Sequence, residues 1–126
     1  MINIQSDKQL TFDEFYRKYY LRNHRERLNR IIHYLGGTFM IISIISSFLT
    51  GLSPIGLLYF LPTVQFIYGF IGHYMVEQNE FAYIQTQNNE VFDFIGPRRS
   101  FPLMYVYGFM GDFKFWFDVT MGNQRL

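Results

Sequence analysis

The sequence predicts an all-α integral membrane protein: one membrane domain over residues 1–126, built as a two-span helical hairpin with flanking amphipathic helices. Three observations predict this fold class. The chain has 126 residues, enough for one domain and too few for two. Charged residues make up only 17 % of it, against about 25 % in ordinary soluble domains. Most directly, residues 31–76 are 46 consecutive residues without Asp, Glu, Lys or Arg.

The uncharged run has the length of two membrane spans joined by a tight turn. A spanning helix needs about 20 mostly apolar residues, and Gly51 and Pro54 give a turn signal near the middle of the run. We therefore predict spans at about residues 31–49 and 55–76, the second kinked at Pro62. The alternative is the buried hairpin of a soluble protein, because polar residues dilute the hydropathy: Ser43, Ser46, Ser47, Thr63 and Gln65. The 80 residues outside the run are few for a polar shell, which favours the membrane.

Basic residues lie on one side of the predicted hairpin. Seven precede the first span, four follow the second, and the turn between them carries none. By the positive-inside tendency, both termini face the cytoplasm and the turn faces away, in a bacterial inner membrane or the endoplasmic reticulum. The amino end is polar and no cleavage pattern follows the apolar run, so a signal peptide is not indicated.

Composition also excludes several function classes. The 11 basic and 10 acidic residues nearly cancel, which argues against a nucleic-acid partner. The absence of Cys excludes disulfides, Cys-ligated zinc and iron–sulfur clusters. The sequence contains no Gly-rich phosphate loop and no serine nucleophile elbow. Nothing in it indicates an oligomeric state.

The segments on either side of the hairpin read as amphipathic helices. Thr11 and Glu14 form a capping box that opens the first, whose apolar stripe is Phe12, Phe15, Tyr16, Tyr19 and Tyr20. We expect this helix to lie in the headgroup plane or to pack on the hairpin ends. A second stripe follows near the carboxyl end, formed by Phe109, Phe113, Trp116 and Thr120. Lys114 and Asp118 pair at i, i+4 on its polar side.

Two histidines occupy matched positions in the two spans. His33 lies 20 residues before Ser53 in the turn, and His73 lies 20 residues after it. Equal distance from the turn of an antiparallel hairpin means equal depth, so the two imidazoles can face each other. Ionisable residues inside spans usually face the bundle interior and mark a functional path. The alternative is that each histidine bonds a backbone carbonyl or lies at the interface.

His24 joins this pair only if the chain breaks. It lies nine residues before His33, and nine steps of about 100° put the two on opposite faces of one straight helix. The stretch from Arg25 to Asn29 permits a break, with Asn29 as a candidate N-cap. Three imidazoles with one or two carboxylates would suit Fe(II), Mn(II) or Zn(II).

Two carboxylates are candidates for catalytic groups beside the histidines. Glu77 lies four residues beyond His73 on the same helix face, and Asp112 lies on a stripe of aromatic residues. A buried carboxylate needs a partner or a metal. The alternatives are an interfacial Glu77 paired with Arg30, and an Asp112 that caps a helix near Gly111.

Four blocks of the sequence, taken in order, carry a family resemblance: Phe12-Asp13-Glu14-Phe15-Tyr16, then His24 with Asn29 and His33-Tyr34-Leu35-Gly36, then residues 70–79, then Gly111-Asp112-Phe113-Lys114. In these blocks the chain resembles the Mpo-like family of small membrane proteins. That family includes the fungal 2-hydroxy-fatty-acid dioxygenase of phytosphingosine degradation. The resemblance runs from Phe12 to Gly122. The chain departs from the family pattern at Glu80-Phe81-Ala82 and through extra residues around Val91–Phe101.

The resemblance implies an Fe(II)-dependent dioxygenase that uses O₂ to shorten a 2-hydroxy fatty acid by one carbon, an α-oxidation. It implies His24, His33 and His73 as metal ligands, with the family's acidic position at Glu77 and its Gly-Asp pair at Gly111-Asp112. A 2-hydroxy acid can chelate iron through its carboxylate and hydroxyl and leave a position for O₂. The candidates to hold the substrate carboxylate are Arg30, Arg98 and Arg99, unless these residues serve only topology.

Two rival functions remain open at this point. One is a Zn(II)-dependent lipid-processing enzyme, and the other is a non-catalytic membrane interaction protein whose histidines bind no metal. Metal analysis of protein purified without added metal distinguishes the three functions: iron would indicate the dioxygenase, zinc the lipid-processing enzyme, and no metal the interaction protein.

Overall fold

The computed structural model describes residues 9–51, 53–88 and 100–126, and the regular elements of these residues are helices. Helix α1 (Phe12–Phe15) continues as a π-helical turn (Tyr16–Tyr20) and a 3₁₀ turn (Leu21–Asn23). The other helices are α2 (Arg27–Thr50), α3 (Pro54–Phe70) with its π-helical continuation (Ile71–Glu77), α4 (Ala82–Asn88) and α5 (Phe101–Thr120). The predicted all-α class is confirmed.

Two helices are long and apolar enough to cross a membrane, and they coincide with the predicted spans. They are Arg27–Thr50 and Pro54–Glu77, each of 24 residues. At 1.5 Å per residue each is about 36 Å long, more than the roughly 30 Å of a bilayer core. Most of their apolar side chains are exposed, with Phe48 81 % and Leu58 72 % exposed. The core helix of a soluble protein would bury such residues.

The turn between α2 and α3 uses the residues that the sequence indicated. Helix α2 ends at Gly51, which adopts the left-handed conformation with φ of 69°, where glycine lacks the Cβ clash. Ser53 is the N-cap of α3, its hydroxyl accepting a hydrogen bond from the Ile55 amide at 3.3 Å, and Pro54 follows at the first helical position. The two helices pack against each other.

The amino-terminal segment packs on α5, whereas the sequence predicts a place in the headgroup plane or on the ends of the α2–α3 hairpin. Its capping box is present: Thr11 Oγ1 accepts from the Glu14 amide, and Glu14 Oε2 accepts from the Thr11 amide, both at 3.2 Å. The α-helix itself ends at Phe15, earlier than the stripe predicts, and π-helical and 3₁₀ turns follow. The stripe is buried in a core shared with Met104 and Phe115 of α5.

One prediction for α5 is wrong. The Lys114–Asp118 ion pair exists at 3.1 Å, but Asp118 is buried rather than solvated. Its carboxylate also accepts a hydrogen bond from the Tyr16 hydroxyl at 3.0 Å. The amino-terminal segment therefore covers the face of α5 that periodicity alone assigned to water. Trp116 lies half-buried against α2, where its Nε1 donates to Thr38 Oγ1 at 2.9 Å.

Candidate metal centre

Three histidine rings meet at the end of α2 and α3 that lies away from the turn. The ring centroids of His24 and His33 are 4.2 Å apart, those of His24 and His73 4.6 Å, and those of His33 and His73 4.9 Å. One nitrogen of each ring lies within 4.8 Å of the others, and all three side chains are buried. The cluster thus joins three segments: His24 directly follows the 3₁₀ turn, His33 lies in α2, and His73 lies in the π-helical continuation of α3.

A break in the chain brings His24 to the other two. His24 has non-helical backbone angles, φ of −113° and ψ of 60°, and α2 begins only after an extended Glu26. The break therefore falls in the predicted stretch. The predicted N-cap, Asn29, is wrong, because Glu26 takes that position and Asn29 already lies in the first turn of α2.

Each imidazole is oriented by an oxygen at its Nδ1. The Tyr20 carbonyl lies 2.6 Å from His24 Nδ1, the Asn29 carbonyl 3.0 Å from His33 Nδ1, and Asn79 Oδ1 2.9 Å from His73 Nδ1. These oxygens accept hydrogen bonds, so each Nδ1 carries the proton. Each ring then keeps its lone pair on Nε2, the arrangement of metal-binding histidines.

His24 supplies the clearest observation for a bound ion. Its Nε2 is buried and has no hydrogen-bond partner among the described residues. Burial, and then the neighbouring His33 and His73, lower the pKa of His24 well below its usual value. The neutral ring has a lone pair on Nε2, and no described residue donates a hydrogen bond to it. A buried polar atom left unpaired is costly, and a metal ion would remove that cost.

The space between the rings suits an ion and little more. The histidines line a cavity of about 20 Å³ together with Tyr20 and Asp112. That volume holds roughly one water-sized guest. Three neutral imidazoles suit Zn, Cu, Fe or Ni alike, so the residues fit a divalent transition metal without selecting one.

Asp112 lies beside the cluster rather than in it. It is buried in the middle of α5, so the helix N-cap alternative is wrong. Its carboxylate accepts hydrogen bonds from the Tyr20 hydroxyl at 2.5 Å, the Tyr68 hydroxyl at 2.7 Å and Gln65 Nε2 at 2.8 Å. Burial raises the pKa of the Asp112 carboxyl, while these three donors oppose that rise.

The two tyrosines connect Asp112 to the histidines. The Tyr20 ring stacks on His24 with centroids 4.2 Å apart, and the Tyr68 ring meets His33 edge-on at 5.2 Å. Burial raises the pKa of Tyr20 well above its usual value, so its hydroxyl keeps its proton and donates. Asp112 therefore holds in place the aromatic rings that line two sides of the cluster.

Glu77 also lies outside the cluster, where it binds the start of α2. Its carboxylate accepts hydrogen bonds from the Glu26 amide and from Asn29 Nδ2, the latter at 3.4 Å. It thereby ties the end of the second candidate span to the first turn of α2. Because the Asn29 carbonyl accepts the hydrogen bond from His33, Glu77 contacts the cluster only indirectly, through Asn29.

The predicted substrate-binding arginines are only partly described. Arg30 does not pair with Glu77; its Nη2 donates to Gln124 Oε1 at 3.0 Å, and its guanidinium lies 5.7 Å from the centroid of the Phe115 ring. Arg98 and Arg99 lie outside the described residues, as does most of the segment Val91–Phe101. Contact of these arginines with substrate stays a prediction.

Sequence reasoning missed the bonds that orient the histidines and Asp112. Tyr20 lies in the predicted apolar stripe and Asn79 in the third family block, but neither pattern indicates a bond to a histidine. Of the residues that bond Asp112, only Gln65, a polar residue within a span, gave a signal. Gly72 was also missed. A Cβ there would overlap Asn29 Oδ1 and lie 2.9 Å from His33 Cε1, so the close approach of the two spans at the cluster requires glycine.

A polar groove of about 590 Å³ opens at the same end of the molecule. Three exposed cations line it, Lys18, Arg22 and Arg25. Asn79, which bonds His73, also lines this groove and so lies between it and the cluster.

Comparison with known proteins gave one match. The model of a protein family described as "2-hydroxy-palmitic acid dioxygenase Mpo1-like" matches residues 9–124. No curated protein and no solved structure matches the chain.

Proposed function

The chain belongs to the Mpo1-like family, and on that premise we propose that it is a metal-dependent dioxygenase that shortens a 2-hydroxy fatty acid by one carbon. The family's description names a 2-hydroxy-palmitic acid dioxygenase. One observation carries the proposal to this chain: three buried histidines whose Nδ1 atoms are all engaged, with the His24 Nε2 lacking any described partner. If the protein bound no metal, nothing would offset the cost of burying that nitrogen without a partner.

We propose Fe(II) as the metal, held by His24, His33 and His73. When bound, iron would supply the activation of O₂ and a chelation site for the hydroxyl and carboxylate of the substrate. The protein's own part is to hold three neutral imidazoles in one orientation. The oxygens at their Nδ1 atoms do this directly, and the aromatic rings fixed by Asp112 keep bulk water from two sides of the cluster.

For the two carboxylates we propose positioning rather than contact with the reacting atoms. Asp112 has three hydrogen-bond donors, and Glu77 binds the start of α2. Neither carboxylate can stabilise the negative charge of the substrate, so a cationic side chain would assist the metal in binding it. Arg30 is the one predicted candidate whose surroundings are described: its Nε is buried without a described partner. We propose that it takes this role together with Arg98 and Arg99.

We propose that the protein is integral to the membrane as a two-span hairpin, with its termini and the histidine cluster on the cytoplasmic side. The exposed apolar side chains of α2 and α3 support this reading. The exposed hydroxyls of Ser43 and Thr63 each donate to the carbonyl four residues earlier, at 2.8 and 2.7 Å. Such bonds satisfy polar groups where no water is at hand, which explains how polar residues fit in a span.

The function is tested by metal content and by oxygen demand. Protein purified in detergent without added metal should contain iron, and turnover of a 2-hydroxy fatty acid should consume O₂ and stop under anaerobic conditions. Product formed without oxygen would exclude the dioxygenase. Zinc in place of iron, with hydrolytic turnover, would favour the rival lipid-processing enzyme.

Topology is tested separately, with single cysteines in the cysteine-free chain. A cysteine at Ser53 should react with an impermeant thiol reagent in intact cells, and one at Gln124 should react only after permeabilisation. The reverse pattern would invert the orientation. If the protein could be purified without detergent, it would not be an integral membrane protein.

A further inference from the structure

The histidine cavity is too small for the substrate's acyl chain, so the chain must lie elsewhere. At about 20 Å³ it holds an ion or one water. Its walls include Gln65 and Gly69 from α3 and Gly108 and Asp112 from α5. Any extension of the cavity toward the apolar part of the molecule would therefore lie between α3 and α5.

The same two helices line an apolar crevice next to the cavity. It measures about 240 Å³ and is formed by Leu57, Leu58, Leu61 and Pro62 of α3 with Tyr105, Val106 and Phe109 of α5. On α3, Leu61 lies one helical turn from Gln65 of the cavity. On α5, Phe109 directly follows Gly108. The crevice and the cavity share no lining residue, but on both helices their linings lie within one helical turn of each other.

We propose that this crevice holds the acyl chain of the substrate, with the carboxyl end at the three histidines. The proposal rests on the proposed function and names the place of the substrate's tail. A crevice of 240 Å³ is smaller than the about 300–1,000 Å³ of pockets that enclose whole ligands. It therefore takes the part of the chain nearest the carboxyl end.

The outer side of the crevice leads into the surroundings of the spans. Leu58 is 72 % exposed and Val106 47 % exposed. In the two-span arrangement those surroundings are lipid tails. The far end of a long acyl chain would remain among them, and a fatty acid could reach the cluster sideways from the bilayer without crossing the polar groove.

A second apolar groove provides a matched control. It lies between α2 and α3 near the turn and is lined by residues that include Ser43, Ser47, Gly56 and Phe60. This groove is larger, about 530 Å³, and adjoins the crevice at Leu57, but on α2 its lining begins at Ile42, more than two helical turns from His33. If apolar character or volume alone attracted an acyl chain, this groove would bind the chain better. Nearness to the cluster distinguishes the crevice between α3 and α5, because on both helices the crevice lies within one helical turn of the cavity.

The test places a tryptophan side chain in each groove and compares how kcat/KM depends on the chain length of the 2-hydroxy fatty acid. Leu61→Trp should lower kcat/KM for 2-hydroxy fatty acids long enough to enter the crevice by about tenfold or more, the cost of a few misfitted methylenes, and leave acids too short to reach the crevice nearly unchanged. Gly56→Trp should change neither, because Gly56 lines the control groove and not the crevice, and a Cβ there meets nothing within 4 Å. Val106→Trp repeats the test from α5. An unchanged profile in Leu61→Trp and Val106→Trp proteins that keep their helices and metal would overturn the proposal.

A binding measurement separates this inference from the proposed reaction. The wild-type protein in detergent is irradiated with a 2-hydroxy fatty acid that carries a diazirine in the half of the chain nearest the carboxyl group, and the labelled peptides are mapped. Label on α3 near Leu61 and on α5 near Phe109, reduced by Leu61→Trp but not by Gly56→Trp, supports the crevice even if no turnover occurs. Label that is confined to other surfaces, or insensitive to Leu61→Trp, would overturn it.

Discussion

The two ends of the α2–α3 pair contrast sharply, although the same helices form both. At the histidine end, His33 and His73 are each 2 % exposed. At the turn end, Phe48 and Leu49 are 81 % and 82 % exposed. A methyl group added at Gly72 would overlap Asn29, whereas one added at Gly56 would meet nothing within 4 Å.

The contrast arises from what packs on each end. The amino-terminal segment, α4 and α5 supply the residues that surround the histidines, among them Tyr20, Tyr83 and Asp112. The turn end has no such cover among the described residues. A two-helix hairpin cannot by itself build a buried polar site; it needs a third layer, which among the described residues surrounds the histidines. Four substitutions test this contrast, in order of decreasing effect.

Removal of a histidine should have the largest effect. His24→Ala removes one of three proposed metal ligands, and the affinity for iron should fall by more than the about 10–100-fold that loss of an outer-shell partner costs. Iron per protein, measured by mass spectrometry, checks this, with circular dichroism to show that the helices remain. Thr63→Ala, on the exposed face of α3, is the control and should keep its metal. A full iron content in His24→Ala would remove His24 from the site.

The glycine comparison addresses packing directly. Gly72→Ala forces a methyl group against Asn29 and His33, so it should lower the free energy of unfolding toward the upper part of the about 1–3 kcal/mol typical of overpacking. Thermal unfolding in detergent micelles measures the effect. Gly56→Ala at the open turn end should not destabilise, because its methyl group meets nothing. Equal stability of the two variants would contradict the close approach of the spans at the cluster.

Asp112→Asn tests the carboxylate behind the tyrosines. An amide has one oxygen to accept with, so at least one of the donors from Tyr20, Tyr68 and Gln65 loses its acceptor. A buried unpaired donor costs about 1–3 kcal/mol, which the same unfolding assay would detect. The control, Asp13→Asn, breaks only the exposed pair with Arg17 and should cost about 0–1 kcal/mol. A more stable Asp112→Asn protein would mean that burying the charge costs more than its hydrogen bonds return.

The smallest effect is expected where α5 meets α2. Trp116→Phe keeps most of the ring but loses the hydrogen bond from Nε1 to Thr38, for an expected loss of about 0.5–1.5 kcal/mol. Tyr59→Phe, on an exposed ring of α3, should stay within about 0.5 kcal/mol of the wild type. Indistinguishable melting curves for the two variants would show that this contact does not hold α5 in place.

Much of the fold could be predicted from local sequence features. The uncharged run, Gly51 and Pro54 predicted two long helices and their turn, and the observed bounds differ from the predicted spans by only a few residues at each end. The capping box at Thr11 was also correct. These features are local: hydropathy, capping and turn chemistry act within a few residues of the chain. Counting from Ser53 placed His33 and His73 at one depth, since nearly all of the chain between them and the turn is α-helical and has the same rise per residue.

The partners of the polar groups could not be predicted, and they define the site. Periodicity placed Asp118 on a solvated face, put Glu77 beside the histidines and left Asp112 with a choice between a helix cap and the site. In the structure Asp118 binds Tyr16, Glu77 binds the start of α2, and Asp112 binds two tyrosines and a glutamine. The helical segments, and those that can lie in a membrane, could be inferred from the amino-acid sequence, because these properties follow from short-range interactions. The covered face of each helix could not, because it depends on packing between segments as many as 102 residues apart, as Tyr16 and Asp118 are.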